Sequence, residues 1–155
     1  MSNLLLQSCS ASKQDIDRPT PAFDLYTGYF YKILKKAIRE DEIRSDLDMS
    51  ILSAEYGIIG RSDEIPYYDR RMDASRAREL NESVVNDIVE QVENTQYGRI
   101  VVNMGETYQT ALSGLSEKVD MPIVAITGNG IGEKGHNLYE FIRGDDSVVT
   151  ELTDV

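Results

Sequence analysis

Tryptophan is absent from this 155-residue chain, and cysteine and histidine each occur once, as Cys9 and His136. One cysteine permits no internal disulfide, and with one histidine it cannot build a zinc site of the usual type. No apolar run approaches the roughly 18 residues of a membrane span. The opening Met-Ser-Asn-Leu-Leu-Leu has no basic segment, and its apolar run is too short for a signal peptide. There is no Walker sequence and no Gly-x-Ser-x-Gly elbow for a Ser-His-Asp hydrolase. These absences lead us to expect a cytoplasmic protein with no membrane partner, no metal site and no cofactor. The hydrophobic share of 41% is far above the disordered range, so a folded core is expected.

Positive charge is scarce, and unevenly so. Residues 1–78 hold 12 Lys and Arg against 13 Asp and Glu, a net of −1, whereas residues 79–155 hold 4 against 14, the remaining −10 of the total −11. A uniformly acidic surface repels nucleic acid, because phosphate contact is the main affinity term there. The nearly neutral first half, with its own basic clusters, leaves room for such a partner. The acidic second half is accounted for by a solvated face or by salt adaptation.

Leu4-Leu5-Leu6 runs straight into Gln7-Ser8-Cys9-Ser10-Ala11-Ser12-Lys13, the pattern of a strand buried on both faces followed by a polar loop. Further strands are expected over Leu47–Ser53, Arg99–Asn103 and Met121–Thr127. Helices are expected over Phe23–Glu40 with Thr27 as N-cap, Ser75–Glu93, Glu106–Leu115 and Lys134–Arg143. Strands alternating with helices predict an α/β fold, a three-layer α/β/α sandwich on a four-stranded, mostly parallel sheet. Residues 1–144 form one domain in this reading. Residues 145–155 read as an acidic tail, with Ser147–Leu152 as a candidate edge strand.

Parallel strands gather the loops after Gln7, Ser53, Asn103 and Thr127 at one rim, where open α/β sheets bind ligands. Three residues there are catalytic candidates. Cys9 suits a nucleophile activated by Lys13 and nearby N–H groups, against its reading as a small buried hydrophobe. Lys13 suits a phosphate or carboxylate. Asp69 pairs with Glu55 as candidate acid and base if the long loop Arg61–Asp73 folds over the rim. Ser8, Ser10 and Ser12 are candidate ligand contacts, or partners of loop backbone groups. Tyr26, Tyr56, Tyr68 and Tyr108 offer a wall for base stacking, or simply core. Arg70, Arg71, Arg76 and Arg78 are the best phosphate-facing cluster, or a solvated helix start. Ser53 and Gly57 in the second rim turn, Gly105 in the third and Gly128 in the fourth complete the candidate binding set. Gly130-Ile-Gly-Glu-Lys-Gly135 matches G-x-G-x-x-G but lacks the following strand and acid of a dinucleotide fold. Close helix–sheet packing accounts for it better.

Taken in order, Ser8-Cys-Ser-x-x-Lys13, Leu25-Tyr26, Leu52-Ser-Ala-x-x-Gly57, Pro66-Tyr-x-Asp69 and Gly105-x-x-Tyr108 resemble a family of small domains of unknown function with a Cys-Ser-x-x-Lys opening. These look distantly similar to the peroxide-stress YaaA family and to the Cys-Ser-x-x-Lys domain of archaeosine synthase, which modifies a 7-deazaguanine base in transfer RNA. The resemblance spans roughly Leu4 to Arg143. Relatives often carry histidine where this chain has Tyr56, and the tRNA-binding parts of archaeosine synthase have no room here. It implies a protein that handles a nucleobase or nucleotide, as an enzyme of nucleic-acid modification. The alternative is a non-catalytic nucleic-acid binding or stress-response accessory protein.

Overall fold

A computed structural model covers Met1–Val155. In chain order it forms β1 (Ser2–Ser8), β2 (Thr20–Pro21), α1 (Ala22–Leu25), α2 (Tyr29–Arg39), β3 (Leu47–Ser53), β4 (Gly57–Gly60), β5 (Glu64–Ile65) and α3 (Ala74–Asn94). Then come β6 (Tyr97–Asn103), α4 (Glu106–Gln109), β7 (Ile123–Ile126), α5 (Ile131–Ile142) and β8 (Val149–Glu151), with short 3-10 turns at Thr110–Leu112, Leu115–Glu117 and Asp146–Val148.

The main sheet has six strands, not four, in the order β4-β3-β1-β6-β7-β8. The inner four run parallel, and β4 and β8 add antiparallel edges. The extra strand β4 lies where the sequence suggests only a sharp turn. Gly57 adopts φ 74°, which reverses the chain so that Ile58 and Ile59 pair back on Leu52 and Ile51.

β1 is the central strand, and its three leucines have no exposed surface. Leu4 and Leu6 face a core built with α3 through Ala77, Leu80, Val84, Val85, Ile88 and Val92. Leu5 faces the opposite core, with Tyr31 and Leu34 of α2 and Leu138, Phe141 and Ile142 of α5. Period-2 alternation thus divides one apolar run between two cores. Each fully buried leucine contributes about 1.5–3 kcal/mol.

The helix expected over Phe23–Glu40 is interrupted. Tyr26 is extended, its backbone bridges to Lys13, and α2 starts from Gly28 rather than Thr27. Ser10 accepts the Gly28 amide at 3.2 Å, so the loop after β1 fixes where α2 begins. Asp73 caps α3 by accepting the Arg76 amide at 2.7 Å. The predicted helix Glu106–Leu115 is one short turn of α-helix followed by two 3-10 turns, which Ser113 and Gly114 (φ 87°) separate.

Gly128 joins β7 to α5 by close approach. A Cβ there would lie 2.5 Å from the Lys134 amide nitrogen and 2.9 Å from the Glu133 carbonyl carbon. Both are helix backbone and cannot swing aside, so Gly128→Ala is expected to lower stability by about 1–3 kcal/mol. Unchanged urea unfolding of that variant would contradict this packing.

At the opposite end of the sheet from the rim, Arg44 binds Asp46 (Nε–Oδ1 2.6 Å) and Asp146 (Nη1–Oδ1 2.8 Å), and Arg99 shares Asp146. These contacts, Arg44 first, hold both carboxyls below the usual 3.8. A depressed folded value means the associated stability is complete above about pH 4 and is lost as pH falls below it. Arg44→Met should therefore be less stable at neutral pH and flatter in acid. Acid-unfolding curves of equal steepness for the two proteins would refute the linkage.

Candidate functional site

The chain leaves β1 toward α2 on one face of the sheet and leaves β6 toward α4 and the 3-10 turns on the other. Loops diverging to opposite faces open a crevice beyond the carboxyl ends of β1 and β6. A cleft of about 570 Å³ occupies it, lined by Ser8–Ala11, Lys13, Asp69–Met72 and Gly105–Tyr108.

Cys9 lies half-buried at this junction. Its amide donates to the Leu52 carbonyl at 3.0 Å, and its Sγ lies 3.1 Å from the Tyr108 hydroxyl. The Ser8 carbonyl just before it accepts from the Tyr31 hydroxyl at 2.9 Å. Burial, and then the nearby Cys9 charge, push the Tyr108 hydroxyl far above 10. Tyr108 therefore stays protonated at neutral pH and can donate to a thiolate. Ser10 is committed to the loop, donating to the Ser12 carbonyl at 2.7 Å while accepting from Gly28. Lys13 is held by the Ala11 carbonyl at 3.3 Å, with its Nζ 4.6 Å from the Tyr68 ring centroid.

The long loop does fold over the rim. Tyr68 is buried, its hydroxyl 2.6 Å from that of Tyr26 and 3.0 Å from Ser53 Oγ. Ser53 also accepts the Glu55 and Tyr56 amides. Burial pushes Tyr26 up to about 12 and Tyr68 further, so both phenols are neutral donors. Four residues on, Met72 is buried as well. Between these two anchors Asp69, Arg70 and Arg71 stand exposed along the cleft.

Ser8, Cys9, Ser10, Lys13, Asp69, Gly105 and Tyr108 are thus brought together. Tyr26, Ser53 and Tyr68 lie beneath Lys13 and the loop as buried support, not as a stacking wall. Ser12 is exposed and contributes only backbone. Glu55 is outside the cleft lining, 3.8 Å from Arg70. Gly57 faces Val84 and Leu80 of α3, and Gly128 faces α5 backbone. Arg76 is a structural residue that donates to the Ala54 and Glu55 carbonyls at 2.8 and 2.7 Å.

Ala11, Met72, Glu106 and Thr107 complete the lining and are absent from the sequence candidates. No local period marks Met72, because residues 66–73 form no helix or strand and Tyr68 and Met72 pack into opposite cores. Lys134 donates to the Met104 carbonyl at 3.3 Å, behind the Gly105–Tyr108 wall, and partial burial lowers its pKa. No three or more His, Cys, Asp or Glu side chains come together with metal-binding geometry. No helix is long and apolar enough to cross a membrane.

The family of unknown function DUF6884 matches residues 4–140. No curated protein matches the chain. Among solved structures, that of AF0587, a protein of unknown function, is similar, with a TM-score of 0.52 at 14% identity. The similarity covers 94% of this chain and 46% of that one, so the chain spans a little under half of AF0587 and shares its fold.

Proposed function

The chain belongs to DUF6884, a family of unknown function, and we propose that it handles a nucleobase or nucleotide in this cleft, as a cytoplasmic enzyme of nucleic-acid modification of the 7-deazaguanine type. One observation carries the proposal. A thiol, a phenol 3.1 Å from it and an ammonium held in the adjoining loop line one cleft where loops diverge from β1 and β6. The cleft volume lies in the range of small-molecule sites. The resemblance to archaeosine synthase favours a base bearing an electrophilic carbon.

Cys9 is the nucleophile in this reading. Attack of its sulfur on a nitrile carbon forms a C–S bond and breaks one π bond of the nitrile. The thiol gives up its proton, and the nitrile nitrogen gains one. The product is a thioimidate, reached with no oxidant or leaving group. Tyr108 orients the sulfur, and Lys13 holds the anionic end of the ligand. Asp69 is the candidate acid–base group at the mouth.

Thermal-shift measurements against nucleobases, nucleotides and 7-deazaguanines test the reading, because a ligand that binds the folded state raises apparent stability. A nitrile-bearing 7-deazaguanine is expected to stabilise the protein and to add its own mass in intact mass spectrometry. Cys9→Ser should keep binding and lose the adduct, while Lys13→Ala weakens binding. Silence across the whole panel would sink the proposal, as would indifference to both substitutions. Weakened oligonucleotide binding with a steep salt slope, and no adduct, would favour the accessory-protein alternative.

A further inference from the structure

Building on the nucleotide reading, we infer that the cleft mouth is a subsite for a phosphate monoester, seated by Arg71 and Lys13 with Arg70 beside them. Four arginines of this acidic chain are built into the fold. Arg44, Arg76, Arg99 and Arg143 each lie within 4 Å of a carboxylate, and each also donates hydrogen bonds that fix the fold.

Arg18, Arg39, Arg61 and Arg78 have no ion pair, but none of them lines the cleft, whereas Arg70, Arg71 and Lys13 all do. Arg71 has no ion pair and no side-chain hydrogen bond, although it lines the cavity. Lys13 has a single carbonyl and the face of Tyr68. Arg70 reaches only Glu55, at 3.8 Å. Arg71 and Lys13, neither of them paired with a carboxylate, line one concavity together with Arg70 and leave it locally positive inside a negative protein.

The field is also preset in position. Arg70 and Arg71 sit in a short segment pinned on one side by buried Tyr68 and on the other by buried Met72. Lys13 is held over the same Tyr68 ring. Anchors of this kind reduce the ordering that binding would otherwise require. A guanidinium fork matches phosphate oxygens two at a time, which makes arginine the suited donor.

Charge count limits the ligand. Asp69 and Glu106 line the same cleft, so two carboxylates stand against the three cations. That balance suits one phosphate and disfavours a polyphosphate chain. A mononucleotide also fits about 570 Å³.

Isothermal titration of the full chain with a nucleoside, its 5′-monophosphate and 5′-triphosphate, ribose 5-phosphate and inorganic phosphate tests the subsite. The 5′-monophosphate is expected to bind about tenfold or more tightly than the nucleoside at low salt, with the advantage shrinking at high salt. Arg71→Ala should remove most of that advantage and Arg71→Glu all of it. The melting temperature of the free protein should not move, since the side chain is exposed and holds nothing in the fold. Binding of ribose 5-phosphate or inorganic phosphate that depends on Arg71 supports the subsite without requiring a base. Equal affinity for nucleoside and monophosphate overturns this inference alone and leaves the nucleotide reading standing. So does an advantage that survives both Arg71 variants, or a triphosphate that outbinds the monophosphate. Failure of every ligand to bind overturns both.

Discussion

Phe141→Ala is expected to lower the unfolding free energy by about 3–5 kcal/mol, the range for emptying an aromatic site in a rigid core. Phe141 is fully buried on α5, in the core shared with Leu5, Tyr31 and Leu34. Its ring also carries two guanidiniums, Arg44 Cζ at 4.8 Å and Arg99 Cζ at 5.4 Å from the centroid. Those same arginines hold Asp146, which leads into β8. Truncation therefore opens a cavity and loosens the anchor of the edge strand together. Set against a typical total of about 5–15 kcal/mol, the loss is a large fraction. Phe141→Leu keeps most of the volume but no π face, and should lose only roughly 1–2 kcal/mol. Urea titration by linear extrapolation measures both. An alanine variant within about 1 kcal/mol of the parent would mean that the ring fills no rigid site.

Tyr68→Ala should be comparably damaging, again about 3–5 kcal/mol, and should also impair ligand binding. The side chain is buried, its hydroxyl meets Tyr26 and Ser53, and its ring lies under Lys13 and edge-on to Tyr56. Alanine would leave two buried hydroxyls short of a partner and free one end of the Asp69–Arg71 segment. Tyr68→Phe separates these effects. It keeps the ring under Lys13 and loses only the hydroxyl, at about 1–3 kcal/mol, with ligand affinity retained. Equal loss of affinity in both variants would show that the hydroxyl relay, not the ring, positions the cleft.

The parts legible in the chain are those written in local periodicity. Leu4-Leu5-Leu6 announces a strand covered on both faces, and Ala77, Leu80, Val84, Val85, Ile88 and Val92 announce the inward stripe of α3. Both follow from the geometry of one element, so no distant contact is needed to read them. The rim was legible for a topological reason, since parallel strands carry their carboxyl ends to one side. β4 was not legible, because two isoleucines between glycines are too few residues to display a period. The break at Tyr26 was equally hidden. It is imposed by Lys13 and Ser10 from a different loop, while Phe30, Ile33 and Leu34 continue the apolar stripe around it.

By itself the sequence determined the alternation of strands and helices, the central apolar strand, and the edge of the sheet at which Cys9 and Lys13 stand. Only the tertiary structure decided which polar side chains work together. Cys9 and Tyr108 are 99 positions apart, and no local pattern records their approach to 3.1 Å. Tyr26 and Tyr68 became buried supports, while Arg71 kept its charge free at the mouth. The physical reason is that burial and pairing depend on what the fold sets opposite each group, whereas periodicity reports only the face of its own element.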